Sequence, residues 1–241
     1  MINLLGVLGG MGPAATVDFM EKLVNLTPAG CDQEHVPTLV ANLPHVPDRS
    51  NYIMFGQGPD PLPHLLRGID LLNSAGVGLI AIPCNTAHHW FDQIQAHSAA
   101  PLLHIGRASV AALPAGTLRR VSLFATPGTL HSDFYRRELE QHGYTYATPS
   151  AESGQIHVND CFRAVKAGDM NRATMALEMA IQEALQQGVD AIILGCTEIP
   201  LAARRLKQPA VIPLIDSSLA LARQAVRHAL AKGWNQSTLG V

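Results

Sequence analysis

Long apolar runs, paired cysteines and one-sided charge are all missing from this 241-residue sequence. No stretch of about 18 uninterrupted apolar residues occurs, which argues against a membrane-spanning helix. The four cysteines, Cys31, Cys84, Cys161 and Cys196, stand far apart and form no Cys-x-x-Cys pair. Neither a zinc site nor a disulfide framework is indicated, and free thiols are expected. Net charge is −2 with histidine neutral, and no segment is strongly basic. Nucleic acid and anionic membranes are therefore not expected as partners. The N-terminal run Met1-Ile-Asn-Leu-Leu-Gly-Val-Leu-Gly-Gly has no basic residue ahead of it and breaks into glycines, unlike a signal peptide. A cytoplasmic location follows as the expectation.

A hydrophobic fraction of 47% against 15% charged residues describes a chain that packs a core. Short apolar runs alternate with longer helical patterns. The strand-like runs are Leu4–Leu8, Thr38–Asn42, Leu79–Ile82, Leu102–Ile105, Val121–Ala125, Ala191–Leu194 and Ile212–Ile215. The amphipathic stretches include Ala14–Leu26, Pro63–Ala75, Leu130–His142, Arg172–Gln187 and Leu219–Ala231. Continuously apolar strands separated by helices mean parallel strands buried on both faces, the α/β class.

The sequence also repeats itself weakly. Leu79-Ile-Ala-Ile-Pro-Cys-Asn-Thr has a counterpart in Ala191-Ile-Ile-Leu-Gly-Cys-Thr-Glu, and Pro101-Leu-Leu in Pro213-Leu-Ile. Both pairs share one offset, since 196 − 84 = 112 and 213 − 101 = 112, while the turn glycines Gly12 and Gly128 differ by 116. This pattern predicts two similar three-layer α/β lobes with mostly parallel sheets, related by pseudo-twofold symmetry, with an active site in the cleft between them. The expected lobes are residues 1–106 and 107–212. The segment 213–241 supplies a final strand and helix that could pack back on the first lobe.

Each half places a cysteine directly after a buried strand, where ligands bind in open parallel sheets. A thiolate there is favoured by a following helix N-terminus. One such cysteine would be unremarkable, because free cysteine is commonly buried and inert. Two at equivalent positions suit a specific reaction: proton removal from one face of a carbon and its return on the other. Asn85 and Thr86 offer hydrogen bonds to a carboxylate or ammonium group, although plain N-capping would also explain them. Thr197 and Glu198 follow Cys196, and Glu198 could receive an ammonium group or raise the pKa of its cysteine. Thr126, in the matching turn of the second half, and Thr197 are further candidates for binding substrate. Arg49 could clamp a carboxylate with its planar fork, and Lys166 is a second candidate cation. Gly10-Met-Gly-Pro-Ala-Ala15 fits a dinucleotide fingerprint, but the second strand ends Ala41-Asn-Leu-Pro-His without the acid that holds a ribose. The same turn can wrap a small carboxylate, with Met11 over it.

At these residues the chain resembles the aspartate/glutamate racemase family, and within it the aspartate racemases. The markers are Leu8-Gly-Gly-Met-Gly-Pro13, Asp32-Gln-Glu-His35, Pro47-Asp-Arg49, Pro83-Cys-Asn-Thr-Ala-His88, Ala125-Thr-Pro-Gly-Thr129, Val165-Lys-Ala-Gly168, Gly195-Cys-Thr-Glu198 and Pro213-Leu-Ile-Asp216. The resemblance implies a metal-free, pyridoxal-free enzyme that interconverts aspartate enantiomers, with Cys84 and Cys196 as its acid–base pair. It implies Met11, Asn85 and Thr86 holding the substrate, Arg49 and Lys166 meeting carboxylates, and a homodimer. Racemisation of glutamate or another amino acid, a decarboxylase or isomerase on the same lobes, and an amino-acid binding protein are the alternatives.

Overall fold

The buried apolar runs do become parallel strands, and their order repeats. The computed structural model describes residues 3–116 and 118–236. Met1 and Ile2 of the N-terminal run, and the last five residues of the segment 213–241, lie outside them. In chain order the elements begin β1 (Leu5–Gly9), α1 (Pro13–Leu26), β2 (Thr38–Asn42), α2 (Arg49–Phe55), α3 (Leu62–Ser74), β3 (Leu79–Ala81), α4 (Phe91–His97) and α5 (Ile105–Ala111). They continue β4 (Arg120–Ala125), α6 (Pro127–His131), α7 (Phe134–Gln141), β5 (Thr145–Ala147), α8 (Gly154–Lys166) and α9 (Met170–Gln186). The last are β6 (Ala191–Gly195), α10 (Ile199–Ala203), β7 (Leu214–Asp216) and α11 (Ser217–Ala231).

The chain forms an α/β fold with two parallel sheets, ordered β2-β1-β3 and β5-β4-β6-β7. It divides into two compact units. The first holds Met1–Asp48, Gln57–Ile105 and Ser218–Val241, and the second holds Arg49–Gly56 and Gly106–Ser217. The segment 213–241 is thus divided: β7 hydrogen-bonds to β6 in the second unit, whereas α11 belongs to the first from Ser218 onward. Arg49–Gly56 also leaves the first unit, because α2 packs against α6.

The sheet registers carry the offset seen in the sequence. The Ile80 N–H donates to the Pro101 carbonyl at 2.9 Å, and the Ile192 N–H donates to the Pro213 carbonyl at 3.0 Å. Both positions differ by one spacing, since 192 − 80 = 112 and 213 − 101 = 112. Gly6 opposes Ile80 in the first sheet as Ser122 opposes Ile192 in the second. The expected strand Leu102–Ile105 shrinks to a parallel bridge between Ile80 and Leu102, because Ile105 already opens α5.

Strand β1 is buried throughout, as is β6. Against the second sheet, α8 and α9 bury Val158, Phe162, Ala173, Leu177 and Ile181 in one cluster with Phe124, Ile192 and Cys196. One expected helix also changes. The helix Leu130–His142 is broken into α6 and α7 by Asp133, whose φ of 61° lies in the left-handed region. The turn after β1 needs its glycine for space: at Gly10, with φ of 94°, a Cβ would stand 2.4 Å from the Leu43 backbone. Backbone crowding thus accounts for this glycine without a bound phosphate.

Candidate active site

Parallel strands end together, so the residues that follow them share an edge. In the first unit β1 pairs with β3, with Val7 opposite Ala81. Met11 and Cys84 follow those two strand ends, and both are 4% exposed. Asn85 and Thr86 are buried beside Cys84. Asn85 precedes a 3-10 turn, Thr86–Trp90, and its side chain makes no capping bond there. The N-capping explanation is thereby removed for Asn85. The turn is short, so the helix-dipole argument for a Cys84 thiolate loses most of its force.

His88 is the middle residue of this turn. Its Nδ1 lies 2.9 Å from the Cys84 carbonyl, and its Nε2 accepts the Ile105 N–H at 3.1 Å. A carbonyl can only accept and an amide N–H can only donate, so the two shorter contacts fit a neutral ring with its proton on Nδ1, and the Leu103 carbonyl, 3.4 Å from the same Nε2, is the longer contact. Burial pushes its pKa down to about 4, and the nearby Cys84 and Leu103 carbonyls, which would favour the protonated ring, oppose this in part. The sign of the consequence is fixed by linkage. The stability gained from keeping this ring neutral is complete above its ordinary value of 6.5 and is lost as pH falls through about 4. The shift corresponds to about 3 kcal/mol. Urea unfolding followed from about pH 7 down to about pH 4 should show this loss, and His88→Asn should flatten that part of the acid limb. An unchanged slope in the variant would refute the prediction.

In the second unit Ala125 opposes Gly195, so Thr126 and Cys196 follow adjacent strand ends. Thr126 caps α6, accepting the Thr129 N–H at 3.3 Å, so part of its hydrogen bonding is structural. Cys196 is 4% exposed, with Thr197 and Glu198 buried after it. The Cys196 thiol donates to Glu198 Oε2 at 3.1 Å, and Glu198 Oε1 lies 3.8 Å from Lys166 Nζ. Lys166 is the last residue of α8 and its side chain is half-exposed. Burial raises the Cys196 pKa well above the ordinary thiol value, and the Glu198 charge raises it further, while Lys166 partly offsets both. Cys196 is therefore held as a thiol that can act as an acid.

Arg49 opens α2, which belongs to the second unit together with Lys166. The two cations do not fall one to each unit, as the boundary 1–106 had implied. Sequence reasoning passed over Gln155 on α8, whose Nε2 donates to the Ala125 carbonyl at 3.0 Å and to Asn159 Oδ1 at 2.8 Å. The apolar spacing of α8 was its one available signal. Cys161 is buried in that helix, and burial pushes its thiol up to about 12, which marks it as inert core.

Comparison with known proteins gives this arrangement a relationship. Residues 8–225 match the family described as Asp/Glu/Hydantoin racemase. The broad specificity amino-acid racemase RacX of Bacillus subtilis is 30% identical over 234 residues, covering 95% of this chain and 99% of that protein. A glutamate racemase of Synechococcus is 30% identical over 162 residues, covering 64% of this chain and 57% of its own length. The solved aspartate racemase of Picrophilus torridus superposes with a TM-score of 0.83 at 32% identity, covering 95% of this chain and 94% of that one. Matched along most of its length at both the sequence and the fold level, the chain belongs to the Asp/Glu/hydantoin racemase family and is an amino-acid racemase, an isomerase.

Proposed function

We propose that this racemase interconverts the enantiomers of aspartate without pyridoxal phosphate or a metal, using Cys84 and Cys196 as two bases. One cysteine, as thiolate, takes the Cα proton. The electron pair left on Cα delocalises into the substrate carboxylate, and the thiol of the other cysteine returns a proton to the opposite face. The thiol and thiolate have then exchanged places, ready for the reverse direction. The observation that carries this reading is the repeated placement of a buried cysteine just past a strand end, in two sheets of matching register.

In this reading Met11, Asn85, Thr86, Thr126 and Thr197 hold the substrate. Arg49 and Lys166 neutralise its carboxylates, and Glu198 sets the protonation of Cys196. The proposed enzyme works as a cytoplasmic homodimer. Among the described residues no helix is long and apolar enough to cross a membrane.

Incubation with L-aspartate in heavy water, without added cofactor, tests the substrate and the chemistry together. D-aspartate carrying deuterium at Cα is the expected product. Full activity with other amino acids but not aspartate would overturn the substrate. No Cα exchange with any amino acid would overturn the two-base reading. A second reading, racemisation of many amino acids, is favoured by the likeness to RacX along nearly the whole of both chains. Comparable rates across acidic, basic and neutral amino acids would establish it instead.

A further inference from the structure

The two cysteine turns are built alike but held differently. In the second unit the Cys196 carbonyl accepts the Ile199 N–H at 3.0 Å, a bond made by the backbone alone. In the first unit the Cys84 carbonyl instead faces the imidazole of His88, with Nδ1 at 2.9 Å. The position equivalent to His88 is Pro200, since 200 − 88 = 112, and proline has no group that could make this bond. The ring has no counterpart in the second unit.

The shortest contacts of the ring favour one state over the other. Phe91 stacks on it at 5.8 Å with an interplanar angle of 13°, and His104 meets it edge-on at 5.2 Å. Its Nε2 takes the N–H of Ile105, the first residue of α5 and the last before the chain passes into the second unit at Gly106. Cys84 has its own N–H tied to the Ile82 carbonyl at 2.8 Å, so the peptide groups on both sides of the cysteine are anchored.

We propose that His88 is a positioning residue for Cys84: its neutral ring bridges the Cys84 carbonyl and the first N–H of α5, and so fixes the direction in which the thiol points. His88 does not touch the reacting atoms. It acts through the turn, and the inference rests on Cys84 being one of the two bases. Misplacing a base by about 1 Å costs about 100-fold in rate.

Two amide variants separate the two bonds of the ring. His88→Asn places a donor near the Nδ1 position and preserves the bond to the Cys84 carbonyl. His88→Gln places its amide near the Nε2 position and preserves only the bond to Ile105. With aspartate, or whichever amino acid the wild type racemises fastest, His88→Asn should lose no more than about tenfold in kcat, as for one neutral hydrogen bond. His88→Gln should lose about 100-fold in kcat with KM unchanged, because binding groups stay in place. Imidazole nitrogen NMR of the wild-type protein should show His88 as the tautomer protonated on Nδ1, at neutral pH, with or without substrate.

Equal kcat values for the two variants, parallel changes in kcat and KM, or the Nε2-protonated tautomer would each overturn the inference. Cys84→Ser, measured alongside, keeps the two failures apart. If Cys84→Ser is inactive and the amide variants are alike, only the positioning role falls. If Cys84→Ser is fully active, the base assignment falls and the positioning role falls with it.

Discussion

Replacing Cys84 or Cys196 by serine should each lower racemisation by about 10³-fold in both directions, the scale of a lost general acid–base group. The two losses are equal in kind because each turnover uses both groups, one as base and the other as acid, whichever enantiomer enters. A serine hydroxyl is too weak an acid to take either part near neutral pH. The more searching measurement is Cα exchange in heavy water by the single variants. Each keeps one cysteine, so each should still exchange the Cα proton of one enantiomer slowly, without inverting it. The enantiomer should be opposite for the two variants. Cys84 and Cys196 are both buried, and the swap changes little volume, so melting temperatures should confirm that the fold persists. A variant that retained near-normal racemisation in both directions would refute the two-base mechanism.

The second large effect is expected from Glu198→Gln. The Cys196 thiol donates to this carboxylate at 3.1 Å, and burial together with the Glu198 charge holds the thiol pKa well above its ordinary value. A group with a raised pKa keeps its proton through neutral pH and loses it only on the alkaline side. The direction of turnover that needs Cys196 as an acid should therefore persist to high pH in the wild type. Glutamine removes the negative charge but leaves the burial, so the Cys196 pKa falls part of the way back. The alkaline limb of kcat/KM should move to lower pH by about one unit or more, the usual scale for one adjacent charge. Lys166, 3.8 Å from the same carboxylate, would then lower the thiol pKa without opposition from Glu198. A limb that stays in place or moves upward would show that Glu198 does not set this protonation.

The strands were legible because a buried parallel strand is apolar on both faces, as β1 and β6 are. Strand β5 was not, since Thr145-Tyr-Ala147 is short and has no apolar run. Asp133 was invisible for another reason: a left-handed aspartate interrupts a helical pattern without disturbing its periodicity. Leu102–Ile105 read as a strand, yet its pairing is limited by the helix that starts at Ile105.

The chemistry divides in the same way. Residue type and the spacing of 112 were enough to propose Cys84 and Cys196, since a cysteine placed just after an apolar strand is visible in one dimension. Protonation is a property of neighbours in space. The Lys166 that meets Glu198 comes from a helix 32 residues earlier, since 198 − 166 = 32, and the N–H that fixes the His88 tautomer comes from Ile105. By itself the sequence determined the class of fold and the two sulfur atoms. Only the tertiary structure decided that Cys196 rests as a thiol and that a neutral imidazole stands behind Cys84, because burial and hydrogen-bond partners exist only once the chain has folded.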